Sequence, residues 1–321
     1  YVTNTEFFDG KKFSNYVVKD PPSITDKINF LLKPTPNQPS FHPYMPIRSQ
    51  QLKPPKEHVK LSFINHSSWL IQYPKLTILI DPIFSNRVSP LAFMGAKRLH
   101  SLPLDIEDLP TINILFISHN HYDHLDKESV KIIINRDNPI CVSGIGTEHL
   151  LSKWGCKKAF SLNWFETYPY ADNILLTFTP AHHTSGRWFF DNDMALWGGL
   201  IVNYQNKHTL YYAGDSAYSF IFEFIHQDFP SIDLSILPIG AQESESIHNH
   251  IKMNSFQAVE AHKILKSKQS LATNWGTFQF TKAPIFQAIQ DLKTAKETHH
   301  ISDESFIHLI PGQQFLSPFK Y

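Results

Sequence analysis

The stretch Ser118-His119-Asn120-His121-Tyr122-Asp123-His124-Leu125-Asp126 decides the reading of this chain. It sets three histidines and a carboxylate in the order His-x-His-x-Asp-His. Imidazole nitrogens and carboxylate oxygens packed this closely are a ligand set suited to zinc. The preceding residues, Ile112 to Ile117, are apolar except for Asn113, as in a short buried strand. Asp126 reads as the N-cap of a helix carrying Val130, Ile133 and Ile134. The histidines therefore sit on a tight loop between a buried strand and a helix, which holds polar side chains rigidly. A histidine-rich surface loop would need neither this spacing nor this flanking pattern.

Around that loop the chain runs to 321 residues, 42% of them hydrophobic, enough for one large domain plus an extension. Its formal net charge is zero, so no global basic field draws in nucleic acid and no acidic tail is present. Most of the 18 histidines are expected at the surface or hydrogen-bonded in the core. Two cysteines, Cys141 and Cys156, are too few for a disulfide framework and leave the compartment open. No apolar run reaches the length of a membrane span. The chain opens at Tyr1 rather than methionine, which leaves room for a signal or propeptide upstream and leaves targeting open.

Two regions follow from composition. Residues 1–57 hold nine of the 22 prolines and read as an extended arm packing on the core or on a partner. Ile28 to Leu32 is its apolar anchor, with Phe30, Phe41 and Tyr44 available for packing. Residues 58–321 read as one hydrolase domain. Val59–Ile64, Trp69–Tyr73 and Leu76–Ile80 are strand-like, with a turn at Pro74-Lys75. Further strands are expected at Ile140–Ser143, Leu175–Thr179, Leu196–Tyr204, Leu210–Ala213 and Leu234–Leu237. Helices are expected at Asp126–Asn135, Thr147–Trp154, Ala217–Gln227 and Ser255–Lys266, the last with a capping box at Asn254 and Gln257. Alternating strands and helices after opening hairpins imply a layered α/β or α+β sandwich.

More ligand types lie at strand ends. The strand-like Thr177-Phe178-Thr179 runs into Pro180-Ala181-His182-His183, and Ala213-Gly214-Asp215 ends another strand in a Gly-Asp turn. Together with the first cluster they complete a two-metal set. One zinc could take His119, His121 and a histidine of the 182–183 pair; a second could take Asp123 and His124; Asp215 could bridge both. Two zinc ions, offset by Asp123, Asp215 and a bridging hydroxide, leave about one positive charge, which favours an anionic substrate such as a phosphodiester.

The His-x-His-x-Asp-His loop, the later histidine and the Gly-Asp strand end resemble the metallo-β-lactamase superfamily. Asp81-Pro82-Ile83-Phe84-Ser85-Asn86-Arg87-Val88-Ser89-Pro90, His119 to Asp126, Pro238-Ile239-Gly240-Ala241 and Trp275-Gly276-Thr277-Phe278 resemble, within it, the family of N-acyl-phosphatidylethanolamine-hydrolysing phospholipase D and its bacterial relatives. The likeness runs from about residue 59 to 280 in consistent order. It implies an α+β fold, an αβ/βα sandwich of two mixed β-sheets flanked by helices, with metals at one edge. It implies His119, His121 and His183 on the first zinc, because the family reads Thr-Pro-x-x-His. It implies Asp123 and His124 on the second, and Asp215 as the bridge. His66, in Asn65-His66-Ser67, matches a family turn near the metals and reads as a hydrogen-bonding neighbour of the ligands.

Two positions depart from the family. Asn274 precedes Trp275-Gly276-Thr277-Phe278 where the family has a histidine, the last ligand of the second zinc. An amide oxygen is a poorer ligand, so the second site is expected to be weak or vestigial. Lys252 stands where animal members carry a histidine near the substrate, with His248 and His250 close by in sequence. The resemblance implies hydrolysis of N-acyl-phosphatidylethanolamine to phosphatidic acid and an N-acylethanolamine. Asp123, His124 and Asp215 would be the catalytic group, with a metal-bound hydroxide as nucleophile. Leu91 to Leu99, with Phe93 and Met94, mixes apolar and basic residues and is the expected membrane- or substrate-facing loop. Its competing reading is a loop packed on the arm or on the second subunit of a homodimer. Other readings of the whole are a hydrolase of lactones, amides or soluble phosphodiesters, and a zinc-binding protein with little catalysis.

Overall fold

The computed structural model describes residues 7–16, 46–48, 52–91, 93, 95–188, 190–241, 250–280 and 283–320. A meander opens the core: β1 (His58–Asn65), β2 (Ser68–Tyr73) and β3 (Leu76–Ile80) pair antiparallel. A small ribbon follows, β4 (Arg87–Val88) with β5 (Ala96–Lys97). Crossovers then lay β6 (Ile114–Ile117), β7 (Ile140–Gly144) and β8 (Lys158–Leu162) parallel beside β3, through α1 (Lys127–Asp137) and α2 (Glu148–Lys153).

The second sheet repeats the plan. β9 (Thr167–Ala171), β10 (Ile174–Thr179), β11 (Gly199–Tyr204) and β12 (His208–Tyr212) are antiparallel neighbours. Next come α3 (Ile221–Asp228), β13 (Leu234–Pro238), α4 (Ser255–Leu265), β14 (Gln269–Thr273), α5 (Gln287–Thr298) and β15 (Phe306–Ile307), with these strands parallel. Finally β16 (Gln314–Lys320) returns to the first sheet beside β1. The result is two seven-stranded mixed sheets with helices outside, the αβ/βα sandwich expected from the sequence.

Strand periodicity explains the layers. In β6, Ile114 and Phe116 point between the sheets, while Leu115 and Ile117 point to the helix layer with Val130 and Ile133 of α1. The central layer holds Phe63, Trp69, Phe178, Trp197 and Tyr212; each such burial contributes roughly 2–3 kcal/mol. None of the helices is long and apolar enough to cross a membrane among the described residues.

Several boundaries differ from expectation, each for a local reason. The expected helix at Ala217 starts only at Ile221, because the Ala217 N–H donates to the His182 carbonyl (2.8 Å). The expected strand at Leu196 starts at Gly199, because Leu196 and Gly198 donate to Ile145 and Ser118 instead. Asp126 does hold the N-cap position of α1, yet its carboxylate accepts from the Ser85 N–H (3.1 Å) and the Ser129 hydroxyl rather than capping the helix. The box of Asn254 and Gln257 on α4 is present. Sequence reading overlooked β4, β5, β8, β9, β14, β15, β16 and α5. It read the two cysteines only as too few for a disulfide framework; Cys141 of β7 and Cys156 after α2 form one disulfide.

Of the arm, residues 7–16 pack on the second half of the molecule. Phe13 is buried, and the rings of Phe7 and Tyr16 lie 5.5 and 5.0 Å from Trp164. Ile28 to Leu32, Phe41 and Tyr44 lie outside the described residues.

Candidate metal centre

One edge of the sandwich collects the polar strand ends. His119, His121, Asp123 and His124 follow β6; His183 follows β10; Asp215 follows β12; Asn274 follows β14. His66 lies in the turn between β1 and β2, and Asp81 follows β3. The backbone at His66, Asp81 and Asn274 is left-handed (φ 43°, 41° and 61°), uncommon for residues with a Cβ. Such strained strand ends cluster at functional sites. Gly214, at φ 64°, must be glycine, since a Cβ would lie 2.6 Å from the Gly198 carbonyl oxygen.

Three groups of ligand atoms lie within 4.8 Å of one another: His119, His121 and His183; His66, Asp123 and His124; His119, His124 and Asp215. His183 Nε2 stands 3.2 Å from His121 Nδ1 and 3.8 Å from Asp215 Oδ2. Its Nδ1 is 2.7 Å from the Ile251 carbonyl, which fixes the tautomer that turns Nε2 inward. His119 Nε2 is buried with no hydrogen-bond partner among the described residues. A buried imidazole lone pair without a proton donor is suited to a Lewis acid, so the first group fits a metal ion. His182, the other member of its pair, is in none of the three groups.

Electrostatics divide the edge in two. Burial pushes His119 well below the ordinary imidazole range, His121 to about 4 and His183 to about 3. These three are neutral and ready to ligate. Burial also depresses His124, but Asp215 and Asp123 outweigh it and raise this group to about 10. Burial alone would raise Asp123 and Asp215; Lys252 and then His124 outweigh it, holding both well below the usual carboxylate range.

Lys252 reaches into this edge. Its Nζ is 2.9 Å from Asp215 Oδ2 and 3.7 Å from Asp123 Oδ2, and lies 5.3 Å above the Phe280 ring. The Asn274 amide donates to the other oxygen of Asp215, and its backbone N–H donates to the His66 carbonyl (2.8 Å). His66 Nε2 is 3.1 Å from Asp123 Oδ2. A pocket of about 200 Å³ opens over Asp123, Lys252 and Asn274 and is walled by Phe278, Phe280 and Ile285. Phe93 is not among the pocket's residues; it is 74% exposed near the tip of the β4–β5 ribbon. Met94 and His248 lie outside the described residues, and His250 is in none of the three groups found among the described residues.

Sequence reading gave no role to Asp81 or Asn15. Asp81 is fully buried and accepts from the Ser118 N–H (2.8 Å), the Ser118 hydroxyl (2.6 Å) and the Tyr212 hydroxyl (2.7 Å). Its Oδ2 also stands 2.7 Å from His124 Nδ1, the carboxylate–histidine arrangement that orients metal-binding imidazoles. Asn15, from the arm, brackets the His183 backbone: its amide donates to the carbonyl (2.8 Å) and its oxygen accepts from the N–H (3.0 Å). Asp81 was visible as the polar end of an apolar strand; nothing local marked Asn15.

A sandwich of two mixed sheets with His/Asp clusters at one edge defines a metallo-β-lactamase-type protein, and the sequence profile of the beta-lactamase superfamily domain matches residues 77–275. The chain belongs to that superfamily. Among its relatives, a protein of Mycobacterium tuberculosis described as uncharacterized is 31% identical over 247 residues, covering 75% of this chain; the chain spans 65% of that relative's length. The N-acyl-phosphatidylethanolamine-hydrolyzing phospholipase D 1 of Caenorhabditis elegans is 29% identical over 270 residues, covering 78% of this chain and 74% of the relative. A metallo hydrolase from the archaeon Ignicoccus hospitalis shares the fold, with TM-score 0.63 at 21% identity over 82% of this chain and 99% of its own.

Proposed function

We propose that this chain is a metal-dependent hydrolase acting on an anionic phosphodiester with an apolar tail, with N-acyl-phosphatidylethanolamine as the leading substrate. The observation that carries the reading is the pocket, where Asp123 and Lys252 form a charged floor against a wall of Phe278, Phe280 and Ile285. A headgroup phosphodiester matches the floor and an acyl chain matches the wall. The nematode relative's name points the same way. A fold alone does not select a substrate, so the pocket is the stronger argument.

His119, His121, His183 and Asp215 would hold the metal, which when bound supplies Lewis-acid stabilisation of developing phosphoryl charge and acidifies water. The chain's residues do the rest. The Lys252 ammonium donates to a phosphoryl oxygen entering the pocket. Asp123, held ionised, accepts a hydrogen from a water molecule and orients its lone pair toward phosphorus. Phe278 and Phe280 keep bulk water from the reacting bond. The water oxygen bonds to phosphorus as the bond from phosphorus to the N-acylethanolamine oxygen breaks, and the proton that Asp123 takes from the water passes to that oxygen, so the products are an alcohol and phosphatidic acid.

The test is a panel of phospholipid vesicles, lactones, amides and soluble phosphodiesters, with products read by mass spectrometry. N-acyl-phosphatidylethanolamine should yield both products, and His121→Ala should remove most activity together with bound metal. Preferred turnover of a lactone or amide would sink the lipid reading and keep the hydrolase. Full activity with unchanged metal content in His121→Ala would sink both.

A further inference from the structure

The polar edge is not symmetrical about Asp215. We propose that the chain holds a single metal ion, at His119, His121, His183 and Asp215, and that the Lys252 ammonium takes the place of a second ion between Asp123 and Asp215. This rests on the metal-dependent reading above but not on the choice of lipid as substrate.

The two halves differ in donors. On one side stand three buried imidazoles with their ring nitrogens converging, and His119 Nε2 has no other partner among the described residues. On the other side His66, Asp123 and His124 also come within 4.8 Å of one another, and His124 Nε2 likewise has no hydrogen-bond partner among the described residues, but His66 Nε2 is already 3.1 Å from Asp123 Oδ2 and position 274 offers an amide whose N–H group donates to Asp215. Through that group the side chain acts as a hydrogen-bond donor to Asp215, and its amide oxygen is a poorer ligand than an imidazole. Among the described residues the ligand groups on that side contain no histidine besides His66, His119 and His124.

On that side the chain brings a cation of its own to the two carboxylates. Lys252 Nζ contacts Asp215 Oδ2 at 2.9 Å and Asp123 Oδ2 at 3.7 Å, the two carboxylates that a second ion would need. A second divalent ion at that point would face an ammonium at close range, and like charges in a buried site repel strongly.

Lys252 is also held where it is. The preceding carbonyl, of Ile251, is the partner of His183 Nδ1, and the following Met253 is fully buried. The segment that orients a ligand of the first ion thus delivers the ammonium to the second position. Charge agrees with the count: one divalent ion and one ammonium against two carboxylates leave a single positive charge for an anionic substrate. Two ions with Lys252 in place would leave three.

Metal content decides the matter without any substrate. Zinc-loaded, desalted protein should carry one ion per chain by elemental analysis, and Mn(II)-loaded protein should give the electron paramagnetic resonance spectrum of an isolated ion. His121→Ala should lose that ion. Lys252→Met combined with Asn274→His removes the charge, restores an imidazole, and should take up a second ion with a spin-coupled Mn(II) spectrum. Two tightly held ions in the unmodified chain would overturn the proposal while leaving the lipid reading intact. So would a folded double variant that keeps its first ion and takes no second, and so would an ion that survives His121→Ala. If the double variant does not fold, the unmodified chain's count still decides.

Discussion

At the scale of single residues, the least expendable group behind the centre is Asp81. It is fully buried, and each contact of its carboxylate brings a hydrogen: Ser118 through N–H and hydroxyl, Tyr212 through its hydroxyl, and His124 through Nδ1. Asp81→Asn replaces one acceptor oxygen with an NH₂ that faces donors. Breaking a buried charged pair in this way costs about 3–5 kcal/mol. The Ser118 hydroxyl held by Asp81 is 2.9 Å from His119 Nδ1, so losing this carboxylate loosens a ligand of the metal, an effect of about 10–100-fold on affinity. Urea unfolding and zinc titration should register both losses. An unchanged midpoint with unchanged zinc affinity would mean that Asp81 merely fills space. In sequence the position was legible as the first residue of the Asp81–Pro90 motif but not in its role, because its partners lie 37 to 131 residues away.

Two elements carry predictions of their own. On α4, His262 is buried, with Nδ1 2.7 Å from the Ser270 hydroxyl of β14, and burial lowers it from the ordinary 6.5 to about 4. Between those values the unfolded chain binds a proton that the folded chain refuses. Stability is therefore complete above about pH 6.5 and falls as pH drops toward 4, by on the order of 3 kcal/mol for this group. His262→Gln should flatten that part of the acid limb in a pH series of urea melts; an equally steep limb would show that other groups govern it. The β4–β5 ribbon is the second element. Its tip exposes Phe93 by 74% and Leu91 by 44%, and we expect it to contact lipid. Phe93→Ser with Leu91→Ser should reduce vesicle binding and hydrolysis of vesicle lipid, while hydrolysis of a short soluble phosphodiester changes little. Equal losses on both substrates would point to folding or to contacts between subunits instead.

For the whole molecule, the arm and the sandwich meet at the metal edge. Phe13 is buried, and two residues on Asn15 clasps the His183 backbone. Phe13→Ala opens a cavity that costs about 3–5 kcal/mol if the site does not collapse. Because Asn15 is tied to the same segment, the variant should also release zinc faster to a chelator, as followed by a colorimetric indicator. A stability loss with no change in zinc release would separate the arm from the centre.

What the sequence determined by itself is local. His119, His121, Asp123 and His124 share one loop because six residues after a buried strand cannot go far apart, and His183 and Asp215 announced themselves as polar groups ending apolar strands. The alternation of Leu115 and Ile117 with Ile114 and Phe116 was likewise enough to require two buried layers, and hence a sandwich. Tertiary structure alone decided the rest. Asp81 behind His124, Asn15 against His183, the Cys141–Cys156 bond and the Lys252 ammonium between two carboxylates have no periodic trace in the chain. Periodicity records which face of an element is buried, whereas these contacts depend on which loops two packed sheets bring to the same edge.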